Sequence, residues 1–135
     1  MADEFYEYLE GENWDTKISS LLLEGETLIA TFAVKSGYSN HREAFAVTTE
    51  RLVIYDEYDD TAYVRSVPIN RVLELLLIVR SPQKDAEREE SLEIMVSGIV
   101  ERSSGSSQRS CSLKFNDPSD ARRAHDIVLQ EMTRR

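Results

Sequence analysis

The run AFAVTTERLVIYD, Ala44 to Asp56, decides how this chain folds. Two β-prone segments flank a polar Thr-Thr-Glu-Arg link, the pattern of neighbouring antiparallel strands joined by a tight turn. Thr48 and Thr49 carry hydroxyls that bond turn backbone, and Arg51 can bridge to Glu50 or to a neighbouring acidic loop. Side chains that fix a hairpin in this way need no ligand. The stretch describes a scaffold and not a reaction.

Working outward, the strand before the turn is expected over about His41 to Val47 and the strand after it over Arg51 to Asp56. Asp56 to Thr61 then closes the next hairpin. Upstream, Leu28, Ala30, Phe32 and Val34 alternate with Thr27, Ile29, Thr31 and Ala33, giving a first strand with one face to a core, and Lys35 to Asn40 marks a turn. Downstream, Tyr63 to Val67 reads as a fourth strand, ended by Pro68 because proline cannot donate to an interior ladder. Val72 to Arg80 is a fifth. After a charged loop from Ser81 to Glu90, Leu92, Ile94 and Val96 alternate with Glu93, Met95 and Ser97 in a sixth, which can extend through Val100. The Ser103 to Gln108 loop leads to a seventh, with Cys111, Leu113 and Phe115 inward.

Helices flank these strands. At the front, Trp14, Ile18, Leu21 and Leu22 share a helical face, with Asn13 as N-cap and Gly25 as the stop; a shorter helical turn is expected between Phe5 and Gly11. At the back, Asp117 serves as N-cap, Pro118 as first helical residue, and Asp120 as the acid that complements the helix dipole. Ala121, Ala124, Val128 and Met132 then form an apolar stripe flanked by Ile127, the mark of a helix that packs on a sheet.

A chain of 135 residues fits one domain, large enough to bury roughly 65–70% of its unfolded surface. With 41% apolar residues it has the composition of an ordinary globular protein. Its longest apolar run, Val72 to Val79, is broken by Glu74 and falls far short of the ~20 residues that span a bilayer. The first residues, MADEFYEYLEGENW, are acidic where a secretory signal needs a basic start, so a cytoplasmic protein is expected. Twenty-five acids against sixteen bases leave a net charge of −9. Such a field repels phosphate backbones and anionic lipid, which excludes nucleic acid as the expected partner and disfavours membrane lipid. The single cysteine, Cys111, cannot form an internal disulfide and reads as a small core side chain.

Taken in order, LLLEGETLIATF, AFAVTTERLVIYD, VPINRVLEL, SLEIMVSG and SLKFNDPSDARRAHDIVLQEM resemble the bacterial pleckstrin-homology (PH) domain family, over about Leu21 to Met132. The most specific pieces are the Leu-Leu-x-Glu-Gly-Glu entry ending at Glu26, the Thr-x-x-Arg-Leu-x-x-x-Asp pattern from Thr48 to Asp56, and the Pro-Ile-Asn-Arg-Val run from Pro68 to Val72. This resemblance implies a mainly β fold with α: a PH-like seven-stranded antiparallel barrel of two near-orthogonal sheets, closed at one end by the C-terminal helix. Residues 1–24 then form an extra N-terminal helical extension and 25–135 the PH-like domain. Periodicity alone allows another small barrel.

PH-like folds invite a lipid-headgroup reading, for which the resemblance implies a basic first hairpin. Here that hairpin offers Lys35, His41 and Arg42, with Glu43 beside them. Two firm cations and a histidine can hold one phosphate but do not balance several. The strand from Val72 to Arg80 is more suggestive. With Leu73, Leu75, Leu77 and Val79 to the core, Val72, Leu76 and Ile78 point outward, where a half-solvated strand carries polar residues. Covering Leu76 and Ile78 is worth on the order of 3–6 kcal/mol, so something is expected to cover them. The candidates are the chain's own Trp14, Ile18 and Leu22, lying across that sheet, or a subunit or partner interface.

Enzyme readings are poor. Asp56, Glu57, Asp59 and Asp60 lack calcium-loop spacing, no phosphate loop is present, and His41 and His125 have no recognisable Ser, Cys or Asp constellation; no catalytic residue, metal site or cofactor is assigned. The expectation is a noncatalytic PH-like interaction module. It self-associates as a homo-oligomer through sheet surface carrying Val72, Leu76, Ile78, Trp14 and Ile18, or binds another protein. A peripheral membrane or phospholipid-headgroup sensor is one alternative. A small hydrolase is another, and it requires a histidine within hydrogen-bond reach of a carboxylate or thiol in a pocket.

Overall fold

Four strands, β1 (Leu28–Val34), β2 (His41–Thr48), β3 (Arg51–Tyr58) and β4 (Thr61–Pro68), form one antiparallel sheet in the order β1-β2-β3-β4. A short 3-10 turn over Ile69–Arg71 leads to β5 (Val72–Arg80), which with β6 (Glu89–Ser97) and β7 (Gln108–Lys114) makes a second antiparallel sheet in the order β5-β6-β7. The computed structural model describes residues 14–35, 41–80, 89–97, 108–117 and 119–134. Helix α1 covers residues 14–19 and α2 spans Asp120–Thr133. Among the described residues no helix is long and apolar enough to cross a membrane. The short turn expected between Phe5 and Gly11, the cap at Asn13 and the extension to Val100 lie outside them.

The decisive hairpin forms as its sequence requires. Val47 pairs with Leu52, leaving Thr49 and Glu50 as the link. The following turn is tighter than expected. Tyr58 pairs with Thr61, and only Asp59 (φ 52°) and Asp60 (φ 64°) lie between them. Two successive left-handed residues give the primed turn whose twist matches flanking strands, and aspartate tolerates that conformation better than most residues. The strands therefore extend past Asp56 and begin before Tyr63.

Between and around the sheets lies the main core, containing Phe32, Val34, Phe45, Val47, Leu52, Ile69, Val72, Leu92, Ile94, Leu113, Phe115, Ala121, Ala124 and Val128. The α2 stripe enters it as expected, with Ile127 and Met132 packed at its margin. The ends of β1 and β7 meet: Val34 bridges Phe115, Lys35 N donates to Lys114 O at 2.7 Å, and Asn116 N donates to Ala33 O at 3.3 Å. Cys111 is half-buried against the core.

Three placements differ from expectation, each for a local reason. Helix α2 begins at Asp120, preceded by Ser119 with no side-chain cap. The Asp117 carboxylate instead accepts from Ser119 N at 3.0 Å and Ser119 Oγ at 2.8 Å, so it organises the turn before the helix. A register irregularity between Leu28 and Ala30 sends Leu28 to the far side of the sheet, away from Phe32 and Val34. A second one between Val72 and Glu74 buries Val72 in the main core and leaves Leu73 half exposed, the reverse of strict alternation. Leu75 and Leu77 do pack on the core and Leu76 is exposed, while Ile78 is half-buried and Val79 exposed.

Trp14 and Ile18 are buried, but not over β5. They lie on the outer face of the first sheet with Ala44, Ala46, Val53 and Tyr55, and with Leu21 and Leu28 at the margin. Small alanines on β2 let the helix approach, and the Trp14 and Tyr55 rings meet edge to face at 5.4 Å. Polar ties fix the arrangement: Thr31 Oγ1 donates to Asp15, and Lys17 Nζ pairs with Glu57. The helix is thus spent on the β1–β4 sheet, and the expectation that it shields β5 is corrected.

Candidate functional site

The end of β2 and β3 away from their shared turn gathers most of the ionisable side chains singled out in the sequence. His41 is paired with Tyr58, Arg42 with Glu57, and Glu43 with Asp56. Directly paired residues share a face and neighbours alternate. One face therefore carries His41, Glu43, Asp56 and Tyr58, continuing into the main core through Phe45 and Val47. The other carries Arg42 and Glu57, continuing through Ala44 and Tyr55 under α1.

This alternation separates the residues proposed to hold a headgroup. Arg42 stands over the Trp14 ring at 6.0 Å, with its guanidinium 3.9 Å from Glu57. His41 is on the opposite face, stacked on Tyr58 at 4.4 Å, with Nδ1 at 3.1 and 3.2 Å from the two Asp56 carboxylate oxygens. Lys35 is exposed beyond the end of β1. Arg42 and His41 therefore face opposite sides of the sheet.

Beside Arg42 lies an open pocket of about 410 Å³ lined by Tyr55, Glu57, Tyr58, Asp59 and Asp60. Burial alone would raise the Glu57 carboxyl, but hydrogen bonds from Lys17 and Tyr55 and the nearby Lys17 and Arg42 charges hold it below its ordinary value. Tyr55 moves the other way: burial and its hydrogen bond to Glu57, 3.1 Å, push its hydroxyl up. Three carboxylates against one guanidinium make the pocket hospitable to cations and repellent to phosphate.

Both histidines have a carboxylate neighbour, the second being His125 with Asp126 at 2.9 Å on the surface of α2. Isolation of the histidines therefore does not dispose of acid–base chemistry. His125 is half-buried, as a residue flanking the apolar stripe should be.

A different polar cluster explains the Glu-Gly-Glu and Thr-x-x-Arg segments. Glu26 is buried at the sheet's other end, where Arg51 Nε donates to Oε2 at 2.8 Å and Nη2 to Oε1 at 3.1 Å. Thr48 Oγ1 donates to Glu26 at 2.6 Å and accepts from Glu50 N and Arg51 N. Leu23 N adds a bond to Glu26, and Arg51 also reaches Leu21 O and Ser66 Oγ, both at 2.8 Å. Burial opposes ionisation of Glu26, yet Arg51, Thr48 and the Leu23 amide together lower its pKa from 4.5 to about 2. Arg51 thus meets the neighbouring acidic loop, not Glu50, and Thr49 Oγ1 accepts from Thr27 N at 3.0 Å.

The third feature is apolar. Leu73, Leu76 and Val79 on β5 and Tyr63 and Val64 on β4 are exposed, and β4 and β5 are the terminal strands of their sheets. Sequence reading singled out Leu76 from this group and missed Leu73 and Tyr63. It also missed the meeting of His41, Glu43 and Asp56, although a two-residue link at Thr49 and Glu50 fixes every later pair of that hairpin.

No protein-family model matches the sequence, and no curated protein matches it. Among solved structures, the chain is similar to a pleckstrin homology domain from Shewanella amazonensis SB2B, at 14% identity and TM-score 0.63 over 90% of this chain and 96% of that one. It is also similar to the hSac2 domain from human phosphoinositide phosphatase Sac2, at 9% identity and TM-score 0.55 over 94% and 80%. With two antiparallel sheets, a helix packed against the core and this likeness to a bacterial domain, the chain has the pleckstrin homology fold.

Proposed function

We propose that the chain is a noncatalytic PH-like interaction module of the cytoplasm that self-associates through the exposed surface of β5. The observation that carries this reading is the exposure of Leu73 and Leu76 on one terminal strand, at 50% and 46%, with the half-buried Ile78 on the same face as Leu76. Large apolar side chains grouped on a strand edge are favoured to be covered, and a second copy offers the same surface in return. Val72, Trp14 and Ile18 are buried by the chain itself and take no part in this interface, whereas Leu76 and Ile78 do. In the same reading the two sheets form one barrel, joined where Val34 meets Phe115, and residues 1–24 form an extension whose described part, from Trp14 onward, lies on the first sheet.

Light scattering on the full chain at tens of micromolar tests the proposal. A mass that rises with concentration supports it, and a strictly monomeric mass rejects self-association. A headgroup-sensing role has less behind it: the human neighbour's name includes phosphoinositides, but His41 and Arg42 lie on opposite faces and the adjoining pocket is acidic.

A further inference from the structure

We propose that His41, Glu43 and Asp56 form a binding site for a divalent transition-metal ion of the zinc type. One ligand atom from each residue lies within 4.8 Å of the other two, and this is the one such group of three among the described residues. Around a single tetrahedral ion with bonds of about 2.1 Å, ligand atoms stand about 3.4 Å apart. The His41–Asp56 pair is already at 3.1 Å.

The backbone holds the group in place. His41 and Glu43 are two residues apart on β2, hence on one face, and Asp56 on β3 is the direct partner of Glu43. Two carboxylates directly opposite one another in an antiparallel pair repel, and a cation between them turns that repulsion into attraction. Stacking on Tyr58, with planes 18° apart, orients the His41 ring with Nδ1 towards Asp56. Stacking of this kind holds the ring in place for an ion that would replace the Nδ1–Asp56 hydrogen bond.

The donor set chooses the ion. One imidazole and two carboxylates suit zinc and its first-row neighbours better than calcium or magnesium, which prefer all-oxygen shells. Water completes the coordination. The ion would tie β2 to β3 at the end of the sheet opposite the Glu26–Arg51 pair.

Calorimetric titration of the full chain with zinc chloride, paralleled by cobalt chloride absorption spectra, tests this. One ion per chain is expected, with affinity reduced about tenfold or more in Asp56→Asn and in His41→Gln, and unchanged in His125→Gln. Thermal melting confirms that each variant folds, and added zinc should raise the melting temperature of the native chain but not that of Asp56→Asn. Absence of saturable binding, or equal binding by the native chain and both hairpin variants, would overturn the assignment.

Discussion

The Arg51 guanidinium grips the Glu26 carboxylate at 2.8 and 3.1 Å across 25 residues of sequence, fastening the loop before β1 to the start of β3. Removing either partner strands the other where water reaches it poorly. Arg51→Ala and Glu26→Gln should each destabilise the fold by on the order of 3 kcal/mol. Thr48→Val, which orphans the Glu50 and Arg51 amides, should cost about 1–3 kcal/mol. Urea denaturation measures all three.

Because Glu26 titrates near 2 in the folded chain and near 4.5 when unpaired, the unfolded chain binds its proton first as pH falls. Its contribution to stability is complete above about pH 4.5 and is lost as pH drops towards 2. Glu57, also held low, acts in the same direction, whereas Asp120, raised by burial and by Asp117, acts against it. Melting temperatures from pH 7 to pH 2.5 should fall less steeply for Glu26→Gln than for the native chain.

Trp14 joins α1 to the first sheet through Tyr55 and the two alanines of β2. Trp14→Ala should cost about 3–5 kcal/mol and expose Tyr55. If α1 were an ornament on the sheet, the melting temperature would hardly move.

Leu76 lies on exposed β5 surface, so Leu76→Asp should leave stability within about 0.5 kcal/mol of the native value while shifting any oligomer to monomer. Light scattering and thermal melting, read together, separate loss of an interface from loss of the fold.

Vesicles carrying anionic phospholipid should not retain the protein. Arg42 is committed to Trp14 and Glu57, and His41 to Asp56 on the opposite face. Flotation that grows with anionic lipid content would contradict this.

Sequence periodicity reveals the strands because inward positions obey a period of two on each side of the turn, Phe45 and Val47 before it and Leu52 and Ile54 after it, and the α2 stripe is equally plain. The bulges at Leu28 and Val72 were not legible, since a one-residue irregularity leaves composition untouched while moving side chains between faces. Nor was the destination of α1: Trp14 and Ile18 announce a buried face without naming its partner, and the small residues that receive them, Ala44 and Ala46, look unremarkable in a strand. The site residues were visible singly. The separation of Arg42 from His41 follows from alternation along β2, whereas the union of Glu43 with Asp56 arises from cross-strand register, which no linear motif records.

Strand β2 is buried on both sides from Ala44 to Thr48, with Phe45 and Val47 towards one core and Ala44 and Ala46 towards the other. A slip of one residue would thrust phenylalanine beneath α1, where only a methyl group fits, and leave methyl groups where the larger core needs a ring. Misalignment is therefore punished twice, by crowding on one side and by a void on the other. The alternation of bulky and slight side chains acts as a key that lets this strand seat in a single way.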